Sequence, residues 1–509
     1  MKPKVYIIWI WWIWISAIAR YFLYEWYEVF WSDKTNSKLI EKLIKEWCNI
    51  VVWENENRIL NFLQEKKSTI FYFPSLIGRG LRGGSIKNLR KFFNKKYNNI
   101  FIYSEAISKN NKELQKAKEL NMKIFSYPEI LWEITKDKKL IAISWTHWKS
   151  TTTSLTSLVL KDSKIWINAI IWTILKEFNG KNTYFSNSEY FVIEACEYKR
   201  SFLNYKPYIA VITNIDLDHL DCYKDLDDYI NAFDKFIKNV REKWYVILNW
   251  NDKNCKKLIW KRKDVTYVEV YDDYFEIFTN RKSSFNEINN KSLPRPAGTP
   301  FEKGRNLRLD WDKIKFPKIK MQIPWKHILY DAHVSYIVWY ILWVKDKSII
   351  NSLEDFSWTW RRMETVWITK NQNILMSDYW HHPTEISLTL EALKKKYTSK
   401  KILTIFQPHQ YSRTLNLIDD FKNCFKYTDT LIVPNIYESR DSEADRKKID
   451  SKKLVEIVNH RDKYDWEWFE NTLKLIEKYE EKNKKNSIIL LLWAWDVDDL
   501  RFEIINLSS

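Results

Sequence analysis

Lys149 and Ser150, in the stretch "SWTHWKSTTTS" (144–154), place an ammonium and a hydroxyl side by side in a Thr-rich run. A lysine followed by Ser or Thr at the opening of a helix can neutralise β and γ phosphate oxygens while the hydroxyl binds Mg2+. The backbone ahead of such a pair has to approach the phosphates closely, which calls for glycine. Trp145 and Trp148 stand in those places. An indole at 148 would sit where backbone must touch phosphate, and left-handed geometry there would cost about 1–2 kcal/mol per residue. Read literally, this loop binds no ATP.

Two further runs end in groups suited to the same chemistry. "YFVIEACEYKRSFL" carries Glu194 at the end of an apolar strand, and "YIAVITNIDLDHLDCY" carries Asn214, then Asp218, His219 and Asp221. Carboxylates and imidazoles at strand ends of an α/β sheet point into the crevice where ligands bind. Mg2+ is held by one or two protein groups together with substrate phosphates. A lone Glu or His is more often structural. Following a phosphate loop, Glu194 and His219 read instead as metal-organising groups.

The missing glycines have a pattern. The chain of 509 residues has 7 Gly and 28 Trp. A chain this long ordinarily has roughly 36 glycines, so the shortfall about equals the tryptophan count. Position points the same way as the totals. Trp250 in "NWNDKN", Trp358 and Trp360 in "SWTWRR", and Trp493 and Trp495 in "LLWAWDVDD" lie in turn contexts. Core aromatics would instead fall on apolar faces at helical or strand spacing. Most Trp letters are therefore read as glycine positions, through a codon, fittingly UGA, that the source reads as glycine.

These residues need elements to hold them. The opening "KVYIIWIWWIWISAIARYFLYEWYEVFWSD" has a basic start, an apolar run and an Ala17-Ile18-Ala19 triplet, the parts of an export signal. With Trp9, Trp11, Trp12 and Trp14 read as glycine it becomes strand, G-I-G-G-I-G loop, helix, second strand and Asp33. That is the layout of a fold that seats a diphosphate at a helix N-terminus. Strand-like runs at "NIVV", "TIFYF" and "NIFIYS" alternate with lysine-rich helical stretches, which predicts a parallel sheet with helices on its faces. A second block starts at "KKLIAIS". A third starts near "IPWKHILYDAH" and runs through "NILMSDY", "KILTIF", "TLIVPNIY" and "SIILLLW". The expected fold class is α/β with three domains, at 1–136, 137–322 and 323–509. Polar insertions are expected at about 73–95 and 280–308, where six of the seven written glycines lie.

Composition narrows the class further. Five scattered cysteines with no C-x-x-C pair give neither a disulfide framework nor a zinc knuckle and fit a cytoplasmic protein. The net charge of +18 comes from lysines mixed with acids along the whole chain, as in "IEKYEEKNKK". That is the pattern of solvated helix faces, so no nucleic acid and no membrane insertion are expected.

Read with glycine, the motifs come in a recognisable order: G-I-G-G-I-G, "YSEAI", G-T-H-G-K-S-T, "EACE", "TNIDLDHLD", "SWTWRRME", "DYWHHPTE", "FQPHQYSRT" and "LLWAWD". In this the chain resembles the Mur ligases nearly end to end, and within them the branch that adds L-alanine to UDP-N-acetylmuramate. The resemblance implies a UDP-sugar domain, a central P-loop ATPase domain and a C-terminal ligase domain. It implies that ATP phosphorylates the lactyl carboxylate, that the amine of L-alanine attacks the acyl phosphate, and that Mg2+ assists.

By the same resemblance, Lys149, Glu194 and His219 are the catalytic group, and Ser150, Glu194 and His219 organise magnesium. Trp145, Thr146, His147, Trp148, Lys149, Ser150 and Thr151, with Arg362 and Asp378 from the last domain, would contact ATP. Trp9, Trp11, Trp12, Trp14 and Ser104 would hold the UDP moiety, and Tyr379, His381 and Arg413 the muramoyl group and incoming amino acid. Gln410, Asp331 and Glu105 depart from the family pattern, which has Arg, Asn and Ser there; none lies in the phosphate loop. Three other readings stand beside this one. They are a ligase adding a peptide or another amino acid to the same sugar, an NAD-binding dehydrogenase drawn from the first 33 residues, and an inactive membrane-associated protein if Trp is literal.

Overall fold

The structure is a computed structural model. It describes residues 3–8, 13–33, 49–52, 99–105, 107–146, 149–158, 165–219, 222–259, 261–279, 313–322, 326–356, 363–380, 382–438, 441–465, 469–492, 497 and 500–508. The two expected insertions, the "TIFYF" run and the loop at 9–12 lie outside these residues. The chain divides into two compact units, Met1–Ser357 and Trp358–Ser509.

The first unit contains two sheets. Strand β1 (Lys4–Ile8) leads through the loop to helix α1 (Ile13–Tyr24), then to β2 (Glu28–Asp33) and β3 (Asn49–Val52). After β4 (Asn99–Tyr103) come α2 (Lys112–Glu119), β5 (Lys123–Ser126) and α3 (Tyr127–Thr135). The five strands are parallel in the order β3-β2-β1-β4-β5, which puts the switch point between β1 and β4. In such sheets ligands bind beyond the strand ends at that point. The helix after β1 starts at Ile13, so Trp14 lies in its first turn and not in the loop where the sequence reading put it.

The second sheet starts with β6 (Lys139–Ser144), which feeds directly into α4 (Lys149–Leu158). It continues with β7 (Asn168–Leu175), β8 (Lys181–Tyr184), β9 (Tyr190–Glu194), β10 (Ile209–Ile212), α5 (Leu226–Lys238), β11 (Tyr245–Asn249), β12 (Thr266–Val270), β13 (Tyr274–Thr279) and β14 (Ile314–Lys315). The order is β14-β13-β12-β11-β10-β6-β9-β7-β8, so β6 lies between β10 and β9, with all three parallel. The buried runs "KLIAIS" and "YFVIE" read as near-continuous apolar segments because helices cover both faces of a parallel sheet.

Helices α6 (Lys326–Ile341) and α7 (Asp346–Glu354) close this unit. Helix α6 lies along α4: Trp339 Nε1 donates to Thr156 O at 2.8 Å, and Ser335 Oγ and Thr156 Oγ1 are 3.0 Å apart. One apolar cluster runs from Val5 and Ile18 through Ile134 and Leu140 to Ile193 and Val246. Both sheets of the unit thus share a core across residue 136. A second link between them is polar. Arg20 on α1, buried, donates from Nη1 to Asn182 Oδ1 on β8 at 2.5 Å, and both side chains reach Ser16 Oγ at 3.2 Å. An arginine is buried at so little cost only when its donors are matched in this way.

The second unit is a six-stranded sheet. Its strands are β15 (Glu364–Ile368), β16 (Ile374–Asp378), β17 (Lys401–Phe406), β18 (Thr430–Val433), β19 (Lys463–Asp465) and β20 (Ser487–Leu492), in the order β15-β16-β20-β17-β18-β19. Only β15 is antiparallel. Helix α8 (Pro383–Lys396) follows β16, and the short helix α9 (Tyr411–Asn416) follows β17. Pro383 at the helix start and the reciprocal bonds of His382 and Glu385 fix the entry of α8.

Two tryptophans end helices in a revealing way. After α1, Trp26 has φ 67°, with Trp26 N bonded to Leu23 O and Tyr27 N to Phe22 O. After α6, Trp343 has φ 65°, with Trp343 N bonded to Tyr340 O and Val344 N to Trp339 O. Both are Schellman caps, whose left-handed residue is normally glycine.

Candidate active site

The centre of the first unit is the turn from β6 into α4. Thr146 fixes the turn: its N donates to Asn214 Oδ1 at 3.2 Å, its Oγ1 donates to Asp216 O at 2.8 Å, and Asp216 N donates back to Oγ1 at 3.0 Å. The exit of β10 is thereby stitched to the start of the loop. Trp145 is buried at its base. His147 and Trp148 lie outside the described residues, as do Leu220 and Asp221.

Helix α4 is Ser/Thr-rich and buried, and part of the desolvation cost of its hydroxyls is offset by bonds to its own carbonyls. Thr153 Oγ1 donates to Lys149 O, Ser154 Oγ to Ser150 O and Ser157 Oγ to Thr153 O, at 2.7, 2.5 and 2.6 Å. Small side chains bonded back to their own helix leave room for α6 on one side and the sheet on the other. Thr151, expected at the nucleotide, is buried in the first turn.

Two carboxylates meet the first residues of this helix. Ser150 Oγ donates to Glu194 Oε2 at 3.1 Å, and Glu194 Oε1 accepts from Trp172 N at 2.6 Å. Lys149 turns to the other acid: its Nζ is 2.9 Å from both oxygens of Glu197 and 2.5 Å from Trp145 O. His219 Nε2 lies 3.4 Å from Glu197 Oε1 and 3.8 Å from Asp218 Oδ2. His219 is left-handed, at φ 54°, and its ring lies 5.0 Å from that of Tyr198. The structure therefore brings Lys149, Ser150, Glu194 and His219 to one place at the start of α4. It adds Glu197, which the sequence reading missed although it is the second acid of the quoted "EACE".

Electrostatics ties these groups together. Burial raises the Glu197 carboxyl, but the Lys149 ammonium, followed by His219, outweighs it and holds Glu197 below the ordinary carboxylate value. Burial pushes Lys149 down, and Glu197 more than compensates, so it stays above the ordinary lysine value. Both are charged across the neutral range.

A hydroxyl and a carboxylate oxygen converging at the start of a phosphate loop are hard-oxygen donors of the kind Mg2+ takes when phosphates complete its shell. Among the described residues no group of three or more His, Cys, Asp or Glu could hold a metal without such help.

The residues expected at the UDP moiety that are described lie at the other sheet. Ser104 directly follows β4 at the switch point and is buried, and Ile107 N donates to its carbonyl at 3.1 Å. Trp9, Trp11 and Trp12 are outside the described residues. Trp14 stacks on Trp172 at 5.6 Å and meets Tyr127 edge-on at 4.4 Å. Glu105 joins this region to the 3-10 turn Tyr198–Asn204 that follows Glu197: its Oε2 accepts from Ser201 Oγ at 2.7 Å, and its carbonyl accepts from Lys199 Nζ at 2.6 Å.

Within the second unit, Asp378 ends β16 and is buried, in register with Leu492 of β20, itself paired with Phe406 of β17. Tyr379 follows it and packs on the core of this unit. Arg413 Nη1 lies 3.0 Å from His409 Nδ1, whose ring stacks on Tyr437. Since guanidinium can only donate, His409 Nδ1 is the acceptor. Gln410 between them has φ 71°, a strained value for a residue with a side chain. Arg362 and His381 lie outside the described residues.

Comparison with known proteins covers the whole chain. Residues 143–287 match the family profile described as Mur ligase middle domain, and residues 361–492 the one described as Mur ligase, glutamate ligase domain. The chain is 33% identical over 500 residues to the UDP-N-acetylmuramate–L-alanine ligase of Clostridium acetobutylicum, covering 98% of this chain and 96% of the relative. It is 38% identical over 363 residues to the ligase of the same name from Clostridium botulinum, covering 71% and 75%. Among solved structures, the UDP-N-acetylmuramate–alanine ligase of Thermotoga maritima superposes with a TM-score of 0.69 at 18% identity, covering 99% of both chains. A murein peptide ligase from Psychrobacter arcticus gives 0.65 at 16%, covering 99% and 98%.

Proposed function

The chain belongs to the Mur ligase family, and on that premise we propose that it joins L-alanine to the lactyl carboxylate of UDP-N-acetylmuramate, driven by conversion of ATP to ADP and phosphate. The observation that carries this reading is the pairing of Lys149 and Ser150 with Glu197 and Glu194 at the mouth of the β6–α4 turn. It accompanies near full-length similarity to relatives that bear this activity in their names.

The chemistry follows from a poor electrophile. A carboxylate resists attack by an amine, so its oxygen first attacks the γ-phosphorus of ATP and ADP leaves. The amine of L-alanine then adds to the acyl carbon, phosphate departs with the carbonyl–oxygen bond, and the amine gives up a proton. Little covalent chemistry is left to the protein, which supplies position and charge. Lys149 neutralises the phosphate oxygens. Ser150 and Glu194, with His219 nearby, are the groups that would hold Mg2+, which supplies charge neutralisation between the phosphates when bound. Trp145 and Trp148 are assigned as glycines in the native protein, since the backbone ahead of Lys149 has to meet phosphate.

On the same reading Ser104 and the loop at 9–14 serve the UDP moiety. Arg362 and Asp378 serve the nucleotide, and Tyr379, His381 and Arg413 the muramoyl group and alanine. Domain bounds near 136 and 322 and a cytoplasmic location belong to this proposal too. Among the described residues no helix is long and apolar enough to cross a membrane.

Phosphate release from ATP, measured on the full chain with glycine at the Trp positions read as glycine, Trp9, Trp11, Trp12, Trp145 and Trp148 among them, tests the reading. It should require both UDP-N-acetylmuramate and L-alanine. Release that depends on the sugar nucleotide and a peptide, but not on L-alanine, would assign the peptide-adding branch instead.

A further inference from the structure

Glu197 has no part in the reaction as derived so far, yet its side chain holds two basic groups of the site. Its carboxylate is 1% exposed and accepts from Lys149 with both oxygens at 2.9 Å. His219 Nε2 approaches Oε1 at 3.4 Å, and the Glu197 carbonyl accepts from Tyr223 OH. Lys149 has three N–H donors. Trp145 O and the two Glu197 oxygens occupy them at 2.5, 2.9 and 2.9 Å. An arriving phosphate therefore has to take over donors that Glu197 holds.

We propose that Glu197 is a positioning residue that parks Lys149 and His219 on one buried carboxylate in the nucleotide-free chain and yields Lys149 to the β and γ phosphates when nucleotide binds. The inference rests on the phosphate-loop reading given above. Two neighbouring acids divide the work. Glu194 takes Ser150 and the backbone of Trp172, on the side assigned to magnesium, while Glu197 takes the two basic side chains. The loop that carries Glu197 is built for this placement. Lys199 and Arg200 both adopt left-handed φ of 48° and 58°, and Arg200 is anchored to Asp228 at 2.7 Å.

A parked lysine has opposite effects on binding and on turnover. The Glu197 charge opposes an incoming polyphosphate, so removing it strengthens binding of nucleotides that reach Lys149. The same removal leaves Lys149 and His219 unheld, so turnover falls. A merely structural residue would weaken binding and turnover together.

The test uses the full chain with glycine at the Trp positions read as glycine, Trp145 and Trp148 among them, alone and with Glu197→Gln or Glu197→Asp. Dissociation constants for ATP, ADP and AMP are measured by calorimetry, and kcat by phosphate release. Glu197→Gln is expected to bind ATP and ADP several-fold more tightly, to leave AMP unchanged and to lower kcat by tenfold or more. Glu197→Asp keeps the charge and should return nucleotide affinity to the parent value with part of kcat restored. Equal shifts for ATP, ADP and AMP, or an unchanged ATP affinity, would overturn the role. If Glu197→Gln does not fold, Glu197→Asp still decides, because tighter ATP binding with the charge retained contradicts competition by that charge. A parent chain that binds neither ATP nor ADP would refute the phosphate-loop reading itself.

Discussion

Trp26 and Trp343 occupy the same place in two unrelated helices: each is the left-handed residue of a Schellman cap, at φ 67° and φ 65°. Asn121 fills the equivalent place after α2, at φ 51°, with its N bonded to Lys118 O and Met122 N to Ala117 O. Asparagine tolerates that geometry and tryptophan does not. Trp339 is different in kind, being buried in the core with its indole N–H bonded to Thr156 O.

The caps predict that glycine stands at 26 and 343 in the native protein. Peptide mass spectrometry of protein isolated from its own cells should read glycine at both, and tryptophan there would refute the assignment. In the chain as written, Trp26→Gly should raise the melting temperature, since Trp26 is exposed and relief of left-handed strain contributes about 1 kcal/mol.

The loop predicts a sharp loss on the magnesium side. Glu194→Gln keeps the size and one acceptor but removes the charge facing Ser150, 3.1 Å away. In the chain with glycine at the Trp positions read as glycine, kcat should drop by about two to three powers of ten, in line with loss of one electrostatic catalytic group. Steady-state phosphate release over a range of Mg2+ concentrations checks this. An activity within twofold of the parent would remove Glu194 from the metal-organising set.

The buried link between the two sheets of the first unit predicts a stability cost without a catalytic one. Asn182→Leu deprives the Arg20 guanidinium of its 2.5 Å acceptor. Ser16 Oγ still accepts from Arg20, so losing this one bond to a buried charged donor costs on the order of 1–2 kcal/mol. The midpoint of urea unfolding should fall accordingly, and an unchanged midpoint would show that water replaces Asn182.

His333 predicts how stability depends on pH. Burial lowers its pKa from 6.5 to about 4, with Asp272 acting weakly the other way, and its ring stacks on Phe316 at 3.9 Å. Because the folded value is depressed, the unfolded chain takes up a proton first. The contribution is intact above pH ~6.5 and is lost as pH falls towards 4, on the order of 3 kcal/mol in all. Melting temperatures from pH 7 to pH 4 should show a decline that is shallower in His333→Gln. The same decline in both proteins would assign it to other groups, such as His327, which burial also lowers to about 4.

What the sequence determined by itself was local. The runs "KVYII", "NIVV", "KLIAIS", "YFVIE" and "SIILLL" are strands because a buried parallel strand is written in contiguous apolar residues. Lys149 and Ser150 open a helix right after a strand, and Glu194 ends another, so the strand-to-helix turn and its facing acid were legible from order and spacing. Tertiary structure decided what depends on which strands become neighbours. Placing β9 next to β6 brings Glu197 to Lys149, 48 positions away in the chain, and selects it over Glu194 as the partner of the lysine. Nothing in "EACE" ranks its two acids. The ranking comes from where β9 ends: Glu194 is its last residue and meets Ser150, while Glu197, three residues beyond, meets Lys149 and His219. The apolar cluster that crosses residue 136 was likewise hidden, because a helix face shows that it is buried but not which sheet it packs against. Local pattern specifies elements and the residues at their ends; pairing between distant elements sets which charges meet.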